Sequence, residues 1–205
     1  MAKFFEGDGK AALTRAVVTF ETGTAAELVI SVHPRSDTYA RAGVLVGTAC
    51  ALLTTCFLLY SEPEFDLYWF LLWPAAIGLA TGYLGNLRGL QWLLTGARTR
   101  ERRVLEAARA VFVERGVADT RGRTGVLLYV SVGERIAVVI ADLGVRQAIP
   151  PAAWDPAVVE ITGAVARGTT ARELAPAIAA LGKVAGKFLP RASDDINELA
   201  DEVHT

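Results

Sequence analysis

Two long uncharged runs divide this chain: AGVLVGTACALLTTCFLLY at Ala42–Tyr60 and LYWFLLWPAAIGLATGYLGNL at Leu67–Leu87. They contain 19 and 21 residues, and the short connector between them carries three acids and no bases. A bilayer's hydrocarbon core is about 30 Å thick and takes about 20 helical residues to cross. Aromatic residues typical of a membrane interface gather where the two runs meet: Tyr60, Tyr68, Trp69 and Trp73. The pattern predicts a transmembrane helical hairpin.

The alternative, two buried helices of a soluble core, fits such long uncharged runs poorly. The flanks of the hairpin are rich in arginine: Arg35, Arg41, Arg88, Arg98, Arg100, Arg102 and Arg103. By the positive-inside rule, we expect a protein of the inner (cytoplasmic) membrane with two spans and both termini in the cytoplasm. Arg88–Leu94 (RGLQWLL) predicts either an interfacial segment or an extension of the second span.

Outside the hairpin, hydrophobic periodicity predicts short helices, and apolar runs rich in β-branched residues predict short strands. Before it come a helix at Asp8–Phe20, with Asp8 as N-cap, and a strand at Glu27–Val32. The later predicted elements are a helix at Arg100–Arg115, strands at Val126–Val132 and Ile136–Ala141, a helix at Trp154–Ala166, and a helix from the capping-box residues Thr170 and Glu173 to about Leu189.

This order of elements predicts an α+β domain that the membrane hairpin interrupts. One helix and one strand cannot bury a core alone, so the Glu27–Val32 strand should pair with a strand between Val126 and Ala141. Residues 1–41 then supply the first helix and strand of the domain. Residues 42–97 form the hairpin with its interfacial segment, and residues 98–205 supply the rest of the domain and an acidic tail.

Composition and motifs exclude several functions. The 205 residues carry a net charge of −1, so no nucleic-acid partner is expected. The two cysteines, Cys50 and Cys56, lie inside the first apolar run, and the two histidines are His33 and His204. A histidine-dependent triad or zinc site is therefore not expected. The GDGK sequence that begins at Gly7 lacks the first glycine and the Ser/Thr of a phosphate-binding loop.

Carboxylates remain as candidates for chemistry. Asp142 follows a predicted strand, and the tail adds Asp194, Asp195, Glu198, Asp201 and Glu202. Clustered carboxylates without histidine suit a hard cation such as calcium or magnesium. The alternative is an acidic terminus that is simply solvated or paired with arginines.

Two segments of the chain resemble a known domain family. RTGVLLYVSVGERIAVVIADLGV at Arg123–Val145 and the closing FLPRASDDINELADEV at Phe188–Val203 resemble the TPM domain of thylakoid lumen phosphatase and photosystem-repair proteins. More closely, the whole chain resembles bacterial membrane proteins in which two spans interrupt a TPM domain. The resemblance implies a small α/β sandwich, with a central sheet flanked by helices.

The resemblance also implies candidate site residues. Some members of the family bind divalent cations, often calcium, in an acidic surface pocket, and weak acid phosphatase activity is ascribed to plant relatives. On matching positions the metal ligands would be Asp142, Asp194, Asp195 and Glu198, with Glu27 as a further candidate. In the cytoplasm free calcium is scarce, which leaves magnesium or no metal as alternatives.

Two functions remain open at this level. The first is a membrane-anchored scaffold or accessory subunit, whose partners would be the lipid bilayer, other membrane or cytoplasmic proteins, or a second copy of the chain. The second is a metal-dependent phosphatase, in which Arg121 and Arg123 would hold a phosphate rather than the acidic tail. Small-residue pairs, Gly43 with Gly47 and Gly78 with Gly82, predict close helix packing within the hairpin or between copies.

Overall fold

The structure is a computed structural model, and it describes residues 3–37, 40–62, 65–87, 95–191, 199 and 203–204. The chain divides into two compact units. One unit combines Met1–Ser36 with Glu101–Thr205 and contains the sheet, while the other, Asp37–Arg100, contains the two long apolar helices. The predicted interfacial segment, Arg88–Leu94, lies outside the described residues.

The first unit is built on a four-stranded sheet in the order β3-β2-β1-β4. The strands are β1 (Glu27–His33), β2 (Gly125–Ser131), β3 (Ile136–Ala141) and β4 (Val203–His204). β1 runs parallel to β2 and to the short β4, and β3 runs antiparallel to β2. The predicted pairing of the first strand with a later one is therefore confirmed, and it joins segments separated by the whole hairpin.

Helices flank the sheet, as the mixed α/β prediction required. The helices of this unit are α1 (Gly9–Thr22), α4 (Ala97–Glu114, which begins in the second unit), α5 (Leu143–Ala148), α6 (Pro151–Arg167) and α7 (Ala171–Phe188), and a 3-10 turn spans Val117–Asp119. The capping box that opens α7 is present, since Thr170 and Glu173 each accept a hydrogen bond from the other's backbone N–H. The six-residue α5 was not predicted.

Asp8 corrects one sequence-based prediction. It occupies the N-cap position of α1, but its side chain makes no capping hydrogen bond. Its carboxylate instead pairs with Arg15 and Arg172, which ties the start of α1 to α7. The charge of two guanidinium groups outcompetes the local backbone donors for this acceptor.

Alternate side chains of the sheet point to opposite faces and pack into two separate hydrophobic cores. On one face, Leu28, Ile30 and Val32 of β1 pack with α1, α6 and α7 in the larger core. On the other face, Val29, Leu127 and Tyr129 pack with Val104 and Ala108 of α4. Because helices cover both faces of the sheet, β2 is buried over its whole length. A strand that is buried on both faces is apolar at consecutive positions, as the Val-Leu-Leu run of β2 shows.

The second unit is an antiparallel pair, α2 (Ala40–Tyr60) and α3 (Leu67–Gly85). Both helices are long and apolar enough to cross a membrane, and their apolar stretches, Gly43–Tyr60 and Leu67–Gly85, are only 17% and 0% buried. Core helices of soluble proteins can be equally long and apolar, but they are mostly buried. A Cβ on Gly47 would lie 2.5 Å from the Gly78 carbonyl oxygen, so these small residues bring the two helices of one hairpin together.

Gly125 provides a test of how closely β2 packs against the 3-10 turn. A Cβ at this position would lie 1.9 Å from the carbonyl oxygen of Val117. We expect Gly125→Ala to lower the free energy of unfolding by about 1–3 kcal/mol because backbone must move to accept the methyl group. Thermal unfolding of the detergent-solubilised protein measures the change.

Gly23→Ala is the matched control for this substitution. Gly23 has φ −103° and an added Cβ would meet nothing nearer than 4.0 Å, at the Phe20 carbonyl oxygen. Equal losses of stability in the two variants would contradict the packing argument.

Candidate functional site

The candidate site is centred on Asp142, the residue that follows β3. Its backbone N–H donates to the Gly125 carbonyl at 2.9 Å, which extends the β2–β3 ladder by one pair. Arg123 donates two hydrogen bonds to the carboxylate, from Nε to Oδ2 at 2.6 Å and from Nη2 to Oδ1 at 2.9 Å. The Asp142 side chain is only 5% exposed, whereas Arg123 is 55% exposed. A nearly buried carboxylate is thus neutralised by a cation that reaches it from the surface.

The same carboxylate also caps the N-terminus of α5. Leu143 donates its backbone N–H to Asp142 Oδ1 at 2.7 Å, so Asp142 is the N-cap of that helix. The loop before β2 is held close by Gly144, whose N–H donates to the Arg123 carbonyl at 2.8 Å. Arg123 itself has φ 53°, in the left-handed region that side chains rarely adopt. These backbone contacts therefore hold Arg123 in a position from which its side chain reaches Asp142.

The surroundings of Asp142 keep it ionised. Burial is the largest single influence and raises the pKa of its carboxyl group. Hydrogen bonds from Arg123 and the Leu143 N–H, with the positive charges of Arg123 and Arg146, outweigh burial and leave the pKa below its usual value. The carboxylate also raises the pKa of Arg123, chiefly through their hydrogen bonds. Asp142 is therefore an anion at neutral pH and not a proton donor.

The structure brings only some of the predicted site residues to this position. Arg123 and Asp142 contact each other, Arg121 lies exposed on the same loop, and Glu27 begins β1 opposite Gly125, at the same end of the sheet. The predicted ligands from the tail lie outside the described residues: Asp194, Asp195 and Glu198. Arg191, at the start of the tail, donates to the Glu21 carbonyl at 3.2 Å.

The Asp142 carboxylate is not arranged to hold a cation in this conformation. It already accepts three hydrogen bonds, from Arg123 and Leu143, of the roughly four that a carboxylate accepts. Within the part of the chain that the structure describes, no three His, Cys, Asp or Glu side chains converge as a metal site. A cation would have to replace Arg123 and recruit the tail, so ligation by Asp142 with those acids stays a prediction.

A second polar cluster, which the sequence reasoning missed, lies at the opposite end of β1 and β2. Glu134, in the β2–β3 turn, is 4% exposed and accepts hydrogen bonds from the Ser36 N–H at 3.1 Å and from the Ser131 hydroxyl. The hydroxyls of Ser36 and Tyr129 are 3.1 Å apart. The cluster fastens the segment after β1 to the turn after β2.

His33 completes this second cluster. Its ring stacks on Tyr129, with centroids 5.0 Å apart, and its Nε2 lies 2.9 Å from the Ser31 hydroxyl. Burial, and then the charge of Arg115, lower the pKa of His33. Ser31 is buried, so this Ser–His pair offers no accessible nucleophile. The available signal was the alternation of Ser31 and His33 with apolar residues in β1.

Comparison with known proteins supports the fold. No family model matches the chain, and no match was found among curated proteins. The solved structure of BA42, from the psychrophilic bacterium Bizionia argentinensis, is similar with a TM-score of 0.59 and 18% identity, over 100% of this chain and 99% of that one. BA42 is a TPM-domain protein. At this identity the likeness establishes a shared fold.

Two substitutions separate the roles of Asp142. Asparagine can cap a helix but cannot form an ion pair, so Asp142→Asn loses the charge interaction alone. Asp142→Ala also loses the cap, and we expect it to be less stable than Asp142→Asn by about 1 kcal/mol. Chemical denaturation at neutral pH measures this difference, and equal stabilities would contradict the capping role.

The pH dependence tests the ion pair. Because the folded-state pKa of Asp142 is lowered, its stabilisation is present above the unfolded pKa of about 3.9 and is lost as the pH falls through the folded value. The stability difference between the wild type and Asp142→Asn should therefore shrink below about pH 4. A difference that stayed constant down to pH 2 would show that the charge of Asp142 contributes nothing.

Proposed function

We propose that this chain is a membrane-anchored TPM-domain protein that serves as a scaffold or accessory subunit of a membrane complex. The observation that carries the proposal is the pairing of β1 with β2 on either side of the inserted unit Asp37–Arg100. The insertion contains two exposed apolar helices, which suits an anchor. Membership of the TPM family is supported by the sequence resemblance and by the fold shared with BA42.

The geometry favours a binding role over hydrolysis. A phosphatase of the predicted type needs Arg123 to hold phosphate and Asp142 to hold a metal ion. Here the two side chains satisfy each other, and the Ser31–His33 pair is buried. A domain whose polar groups are engaged in fixing loops is suited to presenting a surface of defined shape.

A cation-capable state remains part of the proposal. Calcium or magnesium would be held by Asp142 with Asp194, Asp195 and Glu198, after Arg123 has turned away towards solvent. Carboxylates crowded in this way repel one another unless a cation intervenes, so metal binding would order the tail.

Hydrolysis measurements distinguish the two functions. We expect the purified full-length protein to hydrolyse p-nitrophenyl phosphate no faster than Asp142→Asn, whether calcium, magnesium or a chelator is present. Activity that survives purification and disappears in Asp142→Asn would overturn the scaffold-only proposal. Isothermal titration with each metal ion tests the cation-capable state separately, and no binding at millimolar metal would remove it.

Cysteine labelling tests the proposed topology. The Ser61–Asp66 connector is acidic and the flanks are rich in arginine, so the connector should face the periplasm and both termini the cytoplasm. In a Cys50→Ala, Cys56→Ala background, Ser61→Cys should react with an impermeant maleimide in intact cells whose outer membrane admits the reagent. Thr205→Cys should react only after the inner membrane is lysed. The reverse pattern would overturn the topology.

A further inference from the structure

α4 has one side buried against the sheet and an opposite side that is exposed. On the buried side, Val104 and Ala108 are 0% exposed and pack on the strands. The residues of the opposite side recur at intervals of four, seven and four positions, which places them on one line along the helix. This outer stripe of α4 consists of Arg98, Arg102, Arg109 and Val113. All four residues are exposed, and Val113 is 73% exposed.

The arginines of the outer stripe are available to an external anion. Within the part of the chain that the structure describes, Arg98 and Arg109 form no ion pair. Arg102 lies 3.6 Å from Glu106, but the two side chains are 66% and 51% exposed, and ion pairs in water are weak. Glu106 also accepts a hydrogen bond from Arg103 at 3.1 Å, so its charge is shared. The outer stripe therefore carries net positive charge along about 16 Å of helix.

The position of α4 in the chain keeps this charge near the membrane. α3, the second apolar helix, ends at Gly85, and α4 begins at Ala97. The connection between them spans at most about 40 Å when fully extended. Positive charge close to a span is expected from topology alone, but that effect acts within roughly 15–20 residues of the span. Arg109 lies beyond this range, so topology does not account for its place in the outer stripe.

We propose that the outer stripe of α4 binds the headgroups of anionic phospholipids on the cytoplasmic surface of the membrane. The inference rests on the membrane anchoring of the proposed function and adds an electrostatic contact to it. Guanidinium groups donate strong, often bidentate hydrogen bonds to phosphate, and basic clusters that follow a span attract anionic lipids.

The spacing of the arginines fixes how α4 meets the lipid. Side chains spread over about 16 Å of helix reach headgroups together only when the helix lies along the surface. Val113 then enters the headgroup region beside the arginines, as an apolar residue of an interfacial helix does. The α4 face of the sheet is turned towards the bilayer in this arrangement, and the face covered by α1, α6 and α7 is turned towards the cytoplasm.

The surroundings of Val113 test the proposal. In a Cys50→Ala, Cys56→Ala background, Val113→Cys carries a polarity-sensitive fluorophore in the full-length protein, which is reconstituted in lipid nanodiscs. We expect the emission to shift to shorter wavelength in discs that contain one-third phosphatidylglycerol, relative to discs of pure phosphatidylcholine. Raising the salt concentration should reduce the shift, because the Debye length falls from about 10 Å at 0.1 M to about 3 Å at 1 M.

Two matched controls separate this contact from a general effect of charged lipid. Val159 is 66% exposed on α6, on the other face of the sheet, so a fluorophore on Val159→Cys should give the same emission in both discs. Reversing the charge of the outer stripe should abolish the shift at Val113→Cys, with the substitutions Arg98→Glu, Arg102→Glu and Arg109→Glu. Reversing three exposed lysines on α1 and α7 changes the net charge equally and should preserve the shift, with the substitutions Lys10→Glu, Lys183→Glu and Lys187→Glu.

The outcomes that contradict the proposal are distinct. A shift of equal size in phosphatidylcholine discs would indicate apolar insertion or contact between copies, and it would overturn the role of anionic headgroups. A shift that survives reversal of the three arginines, or no shift in the anionic discs, would also overturn the proposal and would leave the membrane anchoring intact. A protein that does not co-purify with the discs would instead overturn the anchoring, and this inference with it.

Discussion

The parallel pairing of β1 with β2 is the contact on which the rest of the structure depends. These strands are joined residue by residue from Glu27 opposite Gly125 to His33 opposite Ser131, although the hairpin lies between them in the chain. A parallel pair needs a long crossover connection, and here the crossover contains both apolar helices. Both faces of β1 and β2 are covered. The free energy gained by burying their apolar side chains is therefore available only after the chain has returned from the two apolar helices to the sheet and β2 has paired with β1.

The same register decides where the polar groups meet. Gly125 stands between Glu27 and Asp142, so the carboxyl groups of two distant segments come to one end of the sheet. At the other end, Ser131 stands opposite His33, and Glu134 reaches the backbone of Ser36. The Asp142 end fixes the loop before β2 and the start of α5, while the Glu134 end fixes the segment that leaves the sheet for the hairpin.

The parts predicted from sequence are those encoded by local patterns. The apolar, β-branched strand segments, the two uncharged runs and the Thr170–Glu173 capping box each depend on residues close in the chain. α5 was missed because six residues carry too little periodicity, and its cap is held by Arg123 from 19 residues away. The cluster of Tyr129, Ser36 and Glu134 could not be assembled because its partners meet only through the fold.

The Asp142–Arg123 pair shows why acidic residues at a strand end do not by themselves indicate a metal. A carboxylate that is 5% exposed needs a positive partner, and either an arginine or a divalent cation can supply it. Arg123 supplies it here with two hydrogen bonds and leaves the capping bond to Leu143 intact. A cation offers more charge but would need several carboxylates to converge, each repelling the others until the ion arrives. An arginine and a divalent cation are thus alternative ways to neutralise a buried carboxylate, and in this structure Arg123 neutralises Asp142.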